Sequence, residues 1–317
     1  MGSETDRLIG SPSHPNVYEE VAVRSDRAPI VLSIWRAERS DATVVFLPGT
    51  MTHPLFYERF LDALARQDLT VVGVHFREHG KSPRLGRPFT FEDLVMDAAC
   101  ALSFASRRHP GPVAVFGSSL GGMVAMALAA ADHRPAAVLA HDVLDPRLPG
   151  SVAITRYPDW TGALRDELSA AMRLATRLTP NLPVPMETYL DLDRVTRDPR
   201  SRREILTDPI GRTSYPLTFM ASLFDADLTG MYDGSIWCPV VVIAATGDRL
   251  LPLEYERDLY ERIVAPEKEL LVFASDRHLL LNEGSAEVLS RIADAIRRHA
   301  VVPPLAATQG PPLARVK

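Results

Sequence analysis

Cysteine is scarce. The 317-residue chain carries two, Cys100 and Cys238, too few and too far apart for a disulfide framework or a zinc pattern. Both are expected to be buried thiols of a reducing compartment. Residues 1–15 are polar and hold no apolar core segment, so no signal peptide is read there, and a cytoplasmic location is expected. No uninterrupted apolar run approaches membrane-spanning length. Basic charge is not in excess either. Lys plus Arg number 35 against 40 Asp plus Glu, leaving a net charge of −5, which excludes the basic footprint of a nucleic-acid binder. Glycine-rich phosphate loops of the P-loop or dinucleotide type are absent. His75 and His79 are four apart, but the local pattern is strand followed by loop, so they do not face each other as helix neighbours do. No cofactor and no metal are expected. What remains is an ordinary globular composition, 46% hydrophobic and 24% charged, long enough for one large domain or a domain with an insertion.

The chain is organised around the stretch from Val113 to Ala131. It starts as a short apolar run with Val and Phe, read as a buried strand, and ends as an Ala/Met/Leu run, read as a helix. Between them stands Gly117-Ser118-Ser119-Leu120-Gly121. In a strand-to-helix turn this G-x-S-x-G frame is a nucleophile elbow. The glycines supply space, because a side chain at Gly117 or Gly121 would collide with neighbouring backbone. Ser119 is lifted to the helix N-terminus, and the Leu120 N–H points where an oxyanion would form.

Around it, residues 16–24 and 28–37 read as two strands split by Ser25-Asp26-Arg27, with the alternation of an antiparallel start. Residues 42–47 are a strand buried on both faces, running into Pro48-Gly49-Thr50-Met51. A helix over 54–66, a strand over 69–76, a helix over 91–108 and a strand over 136–143 complete an alternation that means a parallel sheet with helices on both faces. Ligands of such sheets sit at the carboxyl ends of the strands. The alternation stops after Val143. Residues 146–235 show no convincing strand. Residues 159–178 form an amphipathic helix with Leu164, Leu168, Ala171, Ala175 and Leu178 on one face and Asp159 placed to cap it. Shorter helical pieces follow at 199–207, with Asp198 as N-cap, and at 214–224. This segment reads as a helical cap over the strand ends. Strand, helix, strand and helix resume at 238–245, 254–264, 268–274 and 285–299. The expected organisation is a mobile N-terminus (1–15), a core (16–145 and 236–300), a cap (146–235) and a proline-rich disordered tail (301–317).

A serine hydroxyl needs a base, and the base a partner that fixes its tautomer. Of the histidines after Ser119, His133 and His299 lie at helix ends and His141 lies inside a strand, where a buried structural role fits. His278 alone lies in a loop just past the final strand and is the expected base. A neutral base implies that kcat/KM falls as pH drops through about 6–7. Asp248, after the penultimate strand, is the expected acid, with Asp142 and Asp145 as rivals; Asp276 is too close to His278 along one loop. The second oxyanion donor should come from the loop after the third strand, which points to Thr50 N–H, with Met51 N–H as the alternative. His79 and Lys81 are read as anchoring the loop beneath the site.

These residues resemble the α/β-hydrolase superfamily, and within it the monoglyceride lipase, lysophospholipase and serine aminopeptidase-like branch. The matching stretches are Phe46-Leu47-Pro48-Gly49, Arg77-Glu78-His79-Gly80-Lys81-Ser82, Phe116 to Gly122, Thr246-Gly247-Asp248 with Pro252, and His278 with Glu283. The resemblance implies an α/β-hydrolase fold with a helical cap inserted late in the sheet, a Ser119–Asp248–His278 triad, an oxyanion hole of Thr50 and Leu120 amides, and two-step acyl transfer without a cofactor. Two positions depart from the branch: Pro48 stands where a loop-bracing histidine is usual, and Glu78 replaces a small residue. The expected activity is hydrolysis of a carboxylic ester with an apolar acyl or alcohol group. A thioesterase or a lactone- or amide-cleaving enzyme uses the same triad, and a ligand-binding protein with an unused triad is the reading from another class. The expected partner is a small-molecule substrate, with no nucleic acid and no transmembrane segment; a homodimer is left open.

Overall fold

The apolar runs assemble into one twisted sheet. The computed structural model describes residues 17–301 apart from Arg27 and Pro149. The expected mobile N-terminus and all but the first residue of the expected tail lie outside these. The strands are β1 (Tyr18–Ser25), β2 (Ala28–Trp35), β3 (Ala42–Leu47), β4 (Leu69–His75), β5 (Val113–Ser118), β6 (Ala137–His141), the short β7 (Pro183–Pro185) and β8 (Ser214–Pro216), then β9 (Val240–Ala245) and β10 (Lys268–Phe273). Eight of them form the sheet in the order β1-β2-β4-β3-β5-β6-β9-β10. The β1–β2 and β2–β4 pairs are antiparallel and the rest parallel. The chain steps from β3 outward to β4, then returns to the other side of β3 as β5. That reversal is the switch point at which open sheets of this class leave a crevice.

Why the central strands are largely apolar follows from their two covered faces. In β3, Val45 and Leu47 enter the hydrophobic cluster on one face, while Val44 and Phe46 enter that on the other. Val113 and Val115 of β5 divide from Ala114 and Phe116 in the same way. Helices α1 (Glu58–Ala65, preceded by a 3-10 turn at Pro54–Tyr57), α2 (Phe91–Arg108), α3 (Leu120–Ala131), α8 (Leu253–Arg262), α9 (Leu280–Glu283) and α10 (Ala286–Ile296) belong to the sheet layers. Helix α2 starts with a reciprocal capping box between Thr90 and Asp93, a device typically worth about 1 kcal/mol. It buries Leu94, Ala98, Ala101, Leu102 and Ala105.

Between β6 and β9 run α4 (Arg165–Thr176), α5 (Leu192–Val195), α6 (Pro199–Thr207) and α7 (Leu217–Phe224). The Asp198 side chain caps α6 by accepting from Arg200 N–H at 3.0 Å, with Pro199 in the first turn. Two expectations need correction here. The segment does contain strand: β7 and β8 pair antiparallel. Each is three residues long and proline-flanked, so neither shows an alternation, and their pairing comes from two distant loops meeting. The apolar face of α4 also points the other way. Leu164, Leu168 and Leu178 are 44%, 51% and 84% exposed, the helix ends at Thr176, and a 3-10 turn at Asp159–Leu164 precedes it. Its one buried residue is Ser169, whose hydroxyl donates to the Asp225 carboxylate. Periodicity shows that a helix has an apolar stripe, and says nothing of what covers the stripe. The side chain of Asp159 lies outside the described set. A third correction is minor: Cys238 is buried, but Cys100 is only half-buried.

Candidate active site

The turn at Ser119 is as tight as its frame requires. Ser119 has φ 53° and ψ −117°, a strained combination for a residue with a side chain, of a kind that persists where surroundings over-determine it. Its N–H donates to His141 O at 2.8 Å. A Cβ on Gly117 would sit 1.9 Å from Gly121 O, and one on Gly121 would sit 2.0 Å from Leu47 O. Only hydrogen fits at either position. Strand β5 can therefore turn into α3 while α3 presses against the end of β3. Among the described residues the Ser119 hydroxyl has no hydrogen-bond partner, and it faces a cavity together with Thr50, Leu120 and His278.

The loop after β3 is held by groups far away in sequence. Gly49 N–H donates to the Tyr57 hydroxyl at 3.3 Å, and Thr52 N–H to Gly49 O at 3.3 Å. Met51, at φ 69°, donates its N–H to the Tyr215 hydroxyl at 2.9 Å and accepts at its carbonyl from Arg212 N–H. The Met51 amide is thus engaged. Among the described residues, Thr50 N–H is the amide of residues 49–52 without a protein acceptor, and Leu120 N–H across the cavity likewise has none. Tyr215 completes a chain. Burial pulls His79 down to about 3, so its ring is neutral. Nδ1–H then donates to Arg77 O at 2.7 Å, and Nε2 accepts from the Tyr215 hydroxyl at 3.0 Å. The brace absent at Pro48 is thereby supplied from Tyr57 and Tyr215. A second tie is His53 Nε2 to Asp208 Oδ2 at 2.7 Å. Glu78 closes its own loop, accepting from Leu85 N–H and Gly86 N–H at 2.8 and 3.2 Å. Lys81 N–H donates to His75 Nδ1.

The acid side is richer than one carboxylate. His278 Nδ1 lies 2.8 Å from Asp248 Oδ2, in hydrogen-bond geometry. Asp248 in turn accepts from Leu250 N–H at 2.7 Å and Leu251 N–H at 3.1 Å. Burial alone would raise its pKa, but His278 and these two amides outweigh burial and hold it below the usual range. Asp142 Oδ2 lies 3.0 Å from the same ring nitrogen. So the structure brings two of the four aspartates weighed from sequence to His278. Asp145 is elsewhere, accepting from the Tyr232 hydroxyl and from Arg147 N–H. Asp276 is exposed, 3.8 Å from Arg197. Burial lowers the His278 pKa and the Asp248 and Asp142 carboxylates raise it, with the charges winning, so it stands well above 6.5. The expectation of an acid limb at about 6–7 therefore shifts upward. Asp142, Asp248 and His278 also have ligand-type atoms within 4.8 Å of one another. Around His278 Nδ1 the nearest oxygens are Asp248 Oδ2 at 2.8 Å and Asp142 Oδ2 at 3.0 Å.

The other histidines are structural. His133 stacks on Trp237, and His299 pairs with Glu269 at 2.6 Å. His141 is buried against the Ser118 hydroxyl at 3.0 Å. Sequence reasoning did not single out Tyr57, Tyr215, His53 or Asp208. Nothing local connects Asp208 to a histidine 155 positions away.

Most of the remaining lining is apolar, much of it from the segment between β6 and β9, including Ile154, Met186, Leu192, Val195, Ile205 and Leu223. Among the described residues no helix is long and apolar enough to cross a membrane.

Comparison with known proteins agrees with this architecture. The family model for serine aminopeptidase, S33, matches residues 38–285. A monoacylglycerol lipase of Mycolicibacterium smegmatis is 25% identical over 282 residues, covering 85% of this chain and 93% of that protein. The monoacylglycerol lipase of Paleococcus ferrophilus superposes with a TM-score of 0.70 at 20% identity, covering 86% of this chain and 99% of its own. A soluble variant of the Saccharomyces cerevisiae monoglyceride lipase, solved with a substrate analogue, gives 0.69 at 16% identity, covering 91% and 96%. With the eight-stranded sheet, the elbow and a family match over more than half its length, the chain belongs to the serine aminopeptidase S33 family of α/β-hydrolases.

Proposed function

We propose that the protein hydrolyses carboxylic esters of the monoacylglycerol type through Ser119, His278 and Asp248. One observation carries the reading: an unpartnered serine hydroxyl on a strained turn stands in an apolar cavity beside two backbone N–H groups with no protein acceptor. His278 Nε2 takes the Ser119 proton as Oγ attacks the ester carbonyl. The Thr50 and Leu120 amides receive the oxyanion, each such donor being worth about 2.7–4 kcal/mol in the transition state. His278 passes the proton to the leaving alcohol, and water then repeats the sequence on the acyl-enzyme. Asp248 holds the Nδ1–H tautomer that leaves Nε2 free. Residues 146–235 act as the cap that supplies the acyl pocket. The similarity to monoacylglycerol lipases supports the substrate class, and the two unpaired cysteines support a cytoplasmic setting.

The test is hydrolysis of p-nitrophenyl esters from acetate to palmitate and of a monoacylglycerol, with Ser119→Ala as control. Turnover of the longer esters that vanishes in Ser119→Ala is the expected result. Turnover confined to a thioester series, or binding without turnover, would replace this reading.

A further inference from the structure

Asp142 is the buried group that the mechanism above leaves unused. It sits at the end of β6, one strand inward from Asp248 at the end of β9, and adopts φ 53°, a left-handed backbone that Asp tolerates better than most residues. Its carboxyl is fully buried, yet neither oxygen has a donor in hydrogen-bond geometry among the described residues. Oδ2 nevertheless lies 3.0 Å from two ring nitrogens, His278 Nδ1 and His141 Nε2. The groups facing His278 are Asp142 and His141 from β6 and its end, Asp248 from the end of β9, and Glu256 from α8. Glu256 is itself buried with both oxygens unpartnered.

We propose that Asp142 is a positioning residue for His278, forming with Asp248 a carboxyl pair that shares one proton on the Nδ1 side of the ring. The proposal rests on His278 being the base. The two acids divide the work by their donors. Asp248 receives two backbone N–H groups and stays ionised. Asp142 receives none, and burial followed by the Asp248 charge pushes its pKa up, so it carries the proton; one of its oxygens lies within 4.8 Å of an Asp248 oxygen. The pair titrates as a unit with the imidazole. When Asp142 gives up its proton, a second negative charge stands beside Nδ1 and favours the charged ring. When Asp248 is lost, Asp142 is already within reach of the same nitrogen and takes its place.

Three variants test this, each checked for folding by circular dichroism. Asp142→Asn suits the left-handed backbone and mimics the protonated carboxyl. It should move the acid limb of kcat/KM downward by about one unit. Asp248→Asn should lose clearly less than the about 10⁴-fold in kcat typical of a triad with one acid, and the double variant should lose about that full amount. The third measurement needs no substrate: the downfield proton resonance of His278 Nδ1–H should titrate in two steps in the parent and one in Asp142→Asn. An unmoved limb and an unchanged resonance in Asp142→Asn would overturn the proposal, as would an Asp248→Asn loss equal to that of the double variant. Absence of Ser119-dependent ester turnover would defeat the proposed function instead, and would leave the resonance test standing.

Discussion

Replacing Gly121 by Ala tests the link between the elbow and the oxyanion loop. The added methyl would lie 2.0 Å from Leu47 O, 2.6 Å from Leu47 C and 2.7 Å from Pro48 O. All three are backbone atoms, so no side chain can rotate away. Because real Cβ contacts do not fall under 3.0 Å, the gap to Leu47 O has to open by about 1 Å. Leu47 is paired in the sheet with Gly117, so the movement is passed to the end of β3 and to Thr50 three residues later. A misplacement of about 1 Å costs on the order of 10²-fold in rate, about 2.7 kcal/mol in activation free energy. Overpacking costs about 1–3 kcal/mol of stability, at about 2–4 °C of melting temperature per kcal/mol in a large domain, so the variant remains folded. Gly122→Ala is the control. Its Cβ would meet His141 O at 3.3 Å, a contact relieved by a few tenths of an ångström. The assay is kcat on a p-nitrophenyl ester beside thermal unfolding. Equal kcat in the two variants would refute the coupling.

If His278 is the base proposed above, its raised pKa predicts that kcat/KM falls as pH drops through a value above 6.5, since the ring must be neutral to act and the negative charge of the carboxyl pair favours its charged form; a profile flat down to about pH 5 would contradict the role. Tyr215→Phe removes the acceptor of Met51 N–H and the donor to His79 Nε2, both buried. It should cost about 1–3 kcal/mol of stability and lower kcat more than it raises KM, read from denaturant unfolding and steady-state kinetics; an unchanged kcat would mean that the loop keeps its shape without the brace.

Local chemistry made much of this chain readable in advance. Strand β3 announces two-sided burial because five of its six residues are apolar. Asp198 before Pro199 marks a helix start because caps act within three residues. The elbow is legible because the collision that excludes a side chain at Gly117 comes from Gly121, four positions on. His278 was found by its place after the last strand. The acid was narrowed to a short set containing both carboxyls now seen beside Nδ1, with nothing local to say that both would arrive there.

Tertiary structure decided the rest, because the deciding contacts join residues that sequence spacing does not relate. Met51 and Tyr215 are 164 positions apart, and their bond is what leaves Thr50 as the open amide. The outward face of α4 and the β7–β8 pair depend on which surfaces meet, which a hydrophobic period does not encode. The charge on His278 is the clearest case. The sequence by itself narrowed the partners expected for Ser119 to one histidine and a short set of acids, since strand ends in a parallel sheet converge on one edge. Only the fold placed a second carboxyl 3.0 Å from the same nitrogen, and in a buried setting that distance controls protonation, because water no longer screens one charge from the next.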